Sequence, residues 1–110
     1  MQRGHTVFFE NQPKIVAAAT VAGPKECEGI VGEYVDLPLS DDMFGESTFE
    51  RAERKMFLAA VERSIEKAGI TQHEVDAILA GDLLNQIISA SFTARETGMP
   101  FLGIYSACST

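Results

Sequence analysis

At 110 residues, 45% of them hydrophobic, the chain is one domain or less, with enough Phe, Ile, Val and Leu for a core and no low-complexity tract. A formal net charge of -7 argues against nucleic acid as a partner, because phosphate backbones are met by Lys and Arg clusters that the linear sequence lacks. Cys27 and Cys108 lie far apart, without CxxC or Cys/His ligand spacing, which supports neither zinc nor a disulfide framework and fits a reducing, intracellular setting; no metal or cofactor is expected. The first residues show no basic segment leading into an apolar one, and no run approaches the roughly 18 apolar residues of a membrane span. Any membrane association is therefore expected to be peripheral.

In chain order, Met1 to Lys14 is polar and mixed, with a Val7-Phe8-Phe9 cluster suited to an edge strand. Ile15 to Val21 is a short apolar run closed by Gly23-Pro24 and reads as a strand buried on both faces. Residues 25–45 carry glycines, Pro38 and scattered acids, the pattern of a long excursion with room for a short hairpin; an insertion of this length is either functional or a solvated loop. The clearest helix follows. Ser47 and Glu50 form a capping box. Beyond it Phe49, Ala52, Met56, Phe57, Ala60, Val61, Ile65 and Ala68 recur at three- and four-residue spacing, and Gly69 supplies a left-handed stop. The charges between them, including Arg51, Arg54 and Lys55, read as a solvated face with i,i+4 pairs.

Thr71 and Glu74 form a second capping box on a short turn, and Val75 to Ala80 runs as a second buried strand into Gly81-Asp82. Residues 87–97, with Gly98 and Pro100 after them, read as a shorter helix. Phe101 to Tyr105 is a third strand, and the small residues after it make a tight turn that displays Cys108. Strand, helix, strand, helix, strand is the signature of a parallel sheet with right-handed crossovers. Both helices then fall on one face and leave the other bare, although the strands are apolar on both sides. The expectation is a βαβαβ unit that is part of a larger fold, completed by later residues or by another chain.

Among candidate site residues, a reactive Cys108 needs a base, a cation or a helix N-terminus to hold its thiolate. His5, in a polar leader, and His73, in a helix-starting turn, read as surface residues, and Cys27 reads as structural or incidental. The plain alternative for Cys108 is a small buried side chain. Asp82 and Asn85 follow the second strand at its C-terminal end, the edge where open α/β sheets bind ligands. The favoured alternative is that Asp82 bonds loop amides while Asn85 or Gln86 begins the next helix. Arg95 is the nearby cation, at a helical position that points it to solvent.

The run Glu74-Val75-Asp76-Ala77-Ile78-Leu79-Ala80-Gly81, with Pro100-Phe101 leading to Ala107-Cys108-Ser109, resembles the first half of the thiolase fold of condensing enzymes and β-ketoacyl synthases. More narrowly, Gly23-Pro24-Lys25-Glu26, Ala52-Glu53-Arg54-Lys55, the segment from Ala80 to Gln86 and Ala107-Cys108-Ser109-Thr110 are similar to the stage V sporulation protein AD family of endospore-forming bacteria. The resemblance spans the chain from Gly23 onward and covers the N-terminal part of that family. It implies a thiolase-like protein of the developing spore, peripheral to the inner spore membrane beside membrane proteins of the same system. Such a protein would bind dipicolinic acid, alone or with calcium, for uptake during sporulation and release on germination. It also implies that Cys108 occupies the thiolase nucleophile position and contacts the ligand, and that the complete protein is a homodimer. Two other readings stand beside it: an acyltransferase with Cys108 as nucleophile, and a structural module that docks on membrane proteins through residues 25–45.

Overall fold

The computed structural model describes residues 1–84 and 87–106 and has a mixed α/β architecture. At the start, β1 (Gln2–Arg3) and β2 (Thr6–Val7) form a small antiparallel hairpin. Its turn uses Gly4 at φ 62, a left-handed conformation that a residue without Cβ adopts freely. The edge strand expected around Val7 is therefore half of a two-residue ladder, with Phe8 and Phe9 exposed beyond it.

The first core strand is shorter than the apolar run predicts. Only Val21–Ala22 (β3) is paired, in parallel with Leu37–Pro38 (β4). Bonds from Leu37 N–H to the Thr20 carbonyl (3.1 Å) and from Leu39 N–H to the Ala22 carbonyl (2.9 Å) flank Pro38, which has no N–H to give. Residues 15–19 have no ladder partner among the described residues, and Ile15 and Val16 are 94% and 77% exposed instead of buried on both faces. The excursion between β3 and β4 holds no hairpin: it is a parallel crossover made of α1 (Pro24–Cys27) and a 3₁₀ turn at Gly32–Tyr34. Thr20 and Asp36 clamp it. Thr20 N–H and its hydroxyl donate to Asp36 Oδ2 at 2.9 and 3.3 Å, and Asp36 N–H donates back to Thr20 Oγ1 at 3.1 Å.

Helix α2 (Phe49–Ala68) starts one residue later than expected. Thr48 is its N-cap, accepting Arg51 N–H at 3.3 Å, so the cap falls on Thr48 and not on Ser47. Gly69, at φ 68, ends the helix as predicted. The second capping box is present as read: Thr71 N–H and hydroxyl donate to Glu74 Oε2 at 2.8 and 2.9 Å across the 3₁₀ turn Gln72–Glu74.

Then β5 (Ile78–Ala80), α3 (Ile88–Thr97) and β6 (Phe101–Gly103) form a parallel βαβ unit with register Ile78↔Phe101, Leu79↔Leu102 and Ala80↔Gly103. The three expected strands do not share one ladder: β3 pairs with β4, and β5 pairs with β6. Helix α2 packs on α3 and on β3. Ala52, Ala90 and Ala94 are buried where small side chains let helices approach closely, and buried Thr93 donates to the Ser89 carbonyl (3.1 Å) and across to the Arg54 carbonyl (3.3 Å). Side chains alternate along a strand, so Ile78 faces α2 while its neighbour Leu79 and the paired Leu102 stand on the opposite face, 66% and 61% exposed.

Candidate site at the strand ends

Two parallel strands that end side by side send their loops out of the same edge, and β5 and β6 do this at Ala80 and Gly103. After β5 the chain bends at Leu83 and Leu84. Asp82 is pulled inward, 7% exposed, and its Oδ2 accepts the N–H of Ala90, in the first turn of α3, at 2.8 Å. That bond satisfies one of the donors every helix start leaves unpaired, from eight residues upstream. The N-cap position itself is Ile87, whose side chain has no oxygen to cap with and whose φ is 76. A β-branched residue in the left-handed region is strained, and Ser106, at φ 56 beyond β6, is a second non-glycine residue with positive φ on this edge.

Gly103 permits the close approach: a Cβ there would collide with Ile87 Cγ2 and lie 3.3 Å from Ile87 Cδ1. Across from the loop, Glu53 of α2 accepts Leu83 N–H on Oε1 at 3.2 Å. Three buried polar atoms in this neighbourhood, Glu53 Oε2, Asp82 Oδ1 and Ser89 Oγ, have no hydrogen-bond partner among the described residues. Bonds along the loop link their residues: Glu53 holds Leu83, next to Asp82, and Asp82 holds Ala90, next to Ser89. Unspent acceptors in a buried setting attract proton donors, such as water, an amide, or the protonated oxygen of a ligand. Two carboxylates also repel a third, so this cluster by itself does not hold a dicarboxylate.

Of the sequence-predicted site residues, Asp82 sits at the strand edge and bonds a helix amide. Asn85 and Cys108 lie outside the described residues. The expectation that Asn85 or Gln86 begins the second helix falls on residues outside the described ones; among those described, Ile87 holds the N-cap position and Asp82 Oδ2 accepts an amide of the first turn. His5 is exposed in the β1–β2 turn, and His73 is exposed on the turn that leads into the opposite end of β5. Cys27, half-buried, donates its thiol to the Ala22 carbonyl at 3.5 Å. Glu53 and Ser89 escaped the linear reading because a polar residue on an amphipathic helix carries no mark of being buried. The one available signal was Glu53 lying a turn from Met56 and Phe57 on the apolar side of α2.

Comparison with known proteins matches the chain to one family. The family model described as stage V sporulation protein AD matches residues 3–110. The chain is 38% identical over 105 residues to the stage V sporulation protein AD of Bacillus subtilis (strain 168), covering 96% of this chain and 31% of that protein. The chain thus spans about a third of the length of the curated relative it matches.

Proposed function

We propose, from the premise that this chain belongs to the stage V sporulation protein AD family, that it forms the first part of a thiolase-like domain that binds dipicolinic acid, alone or with calcium, for uptake into the developing spore and release on germination. The family match over residues 3–110 carries this reading. The parallel βαβ unit supports it, because the β5 and β6 loops, with Cys108 shortly beyond β6 in sequence, leave one sheet edge of the kind that receives ligands. The protein acts peripherally at the inner spore membrane beside membrane proteins of the same sporulation system. No described helix is long and apolar enough to cross a membrane. The exposed Leu79 and Leu102 are covered in the complete protein by further parts of the fold, and two copies associate as a homodimer.

The ligand meets the chain at Cys108, Asp82 and Asn85. Calorimetric titration of dipicolinate into the full-length protein and its Cys108→Ala variant tests this. Binding heat in the parent that weakens or disappears in the variant is the expected result. Absence of binding to both overturns the reading and favours the acyl-transfer alternative, for which acyl-CoA would leave a covalent adduct on Cys108.

A further inference from the structure

Along the α2–α3 pair, the geometry points to an anion-binding cleft that takes a phosphoryl or carboxylate group. Two hollows of about 350 and 320 Å³ share Arg54 and Glu96. Arg51, Arg54 and Lys55 line the first, and Arg54 and Arg95, with Phe92, line the second, so four of the chain's nine Lys and Arg residues converge here. Against the carboxylates of Glu46 and Glu96 they leave an excess of positive charge, in a chain whose formal net charge is -7. A local field opposite in sign to that of the whole molecule concentrates anions at one place.

Two of the cations are held in position. Lys55 Nζ donates to the Phe44 carbonyl at 2.8 Å, lies 3.5 Å from Glu46 Oε1 and stands 4.5 Å over the Phe44 ring. Arg54 donates to Glu96 Oε1 at 3.0 Å. The other two, Arg51 and Arg95, form no ion pair among the described residues and present guanidinium forks that match the paired oxygens of a phosphate or carboxylate. The Arg54–Glu96 pair is about half exposed, and such pairs contribute little, so an incoming anion displaces Glu96 at small cost. Linear spacing hid the cleft: Arg95 reaches the α2 cations only because α3 packs along α2.

The test is an NMR titration of the full-length protein with inorganic phosphate at constant ionic strength, beside co-sedimentation with phosphatidylglycerol vesicles in a phosphatidylcholine background. Phosphate is expected to shift resonances of residues 51–55 and 92–96, and the Arg51→Ala/Arg95→Ala double variant to weaken the binding by roughly tenfold. Glu96→Gln, which frees Arg54, should tighten it by about threefold, an outcome that misfolding cannot imitate. Arg63→Ala, remote from the cleft, should leave it unchanged. Vesicle binding that is lost in the double variant assigns the anion to a lipid headgroup, and phosphate shifts without vesicle binding assign it to a soluble ligand. The inference is overturned if neither probe binds, if the double variant binds both probes like the parent, or if Glu96→Gln weakens binding.

Discussion

Asp82 shows how one side chain sets the geometry of a whole edge. Its Oδ2 is the acceptor for Ala90 N–H, while Ile87, in the N-cap position, offers none. Asp82→Ala should therefore lower stability by about 1–2 kcal/mol in chemical denaturation, and Asp82→Asn, which keeps an acceptor oxygen, by clearly less. Equal losses in the two variants would mean that the charge matters more than the bond. Gly103 is the matching residue on β6. Its φ is unremarkable, and its value lies in space, because Ile87 occupies the volume a Cβ would need. Gly103→Ala should cost about 1–3 kcal/mol and shift amide resonances of residues 81–88, whereas the same change at Gly4, which has nothing within 4 Å, should cause no clash there and only local backbone strain.

At the scale of elements, the two long helices were legible, the short α1 was not, and the strands were legible only in part. Helix α2 announces itself through spacing and through Gly69, both local signals, and the Thr71–Glu74 box is formed as read. Strand length depends on a partner far away in sequence, so the apolar run from Ile15 gave no hint that only Val21–Ala22 would be paired, nor that Leu37–Pro38 would be the partner. Asp82 was legible as an amide acceptor, but Glu53 and Ser89 become its neighbours only through packing. The link from the β3–β4 crossover to the end of α2 was equally invisible: Lys67 Nζ sits 2.8 Å from Asp36 Oδ1. The Lys67 bond, and next the Thr20 N–H, hold the Asp36 carboxyl below the usual carboxylate range, and the Thr71 amide and hydroxyl do the same for Glu74. A carboxyl lowered in the folded state adds stability that is present above its unfolded-state pKa and is lost as pH falls through the folded value. Melting temperature should fall on acidification through that window, and Lys67→Met should flatten the fall. An unchanged acid limb in that variant would show that Thr20 alone sets the Asp36 shift.

At the scale of the whole molecule, the two faces of the β5–β6 pair have different fates. One carries Ile78 toward α2, and the other leaves Leu79 and Leu102 side by side and mostly exposed, with Leu83 64% exposed in the following loop. Adjacent apolar side chains on an open strand pair, in a chain that also exposes Ile15 and Val16, form the kind of surface that drives association when nothing covers it. The 110-residue chain should accordingly associate as its concentration rises in sedimentation velocity, and it should bind an apolar dye. Leu79→Glu/Leu102→Lys replaces the pair with opposite charges directly across the ladder, an arrangement a parallel register tolerates, and should restore a monomer with unchanged helical circular dichroism. If the parent chain is already a monodisperse monomer that melts cooperatively, the face needs no cover, and the proposal that further parts of the fold complete this sheet fails with it. If association persists in the double variant, the sticky surface lies elsewhere. The apolar groove of about 310 Å³ that α2 lines with Phe49, Met56 and Phe57 beside Leu84 is then the next surface to charge.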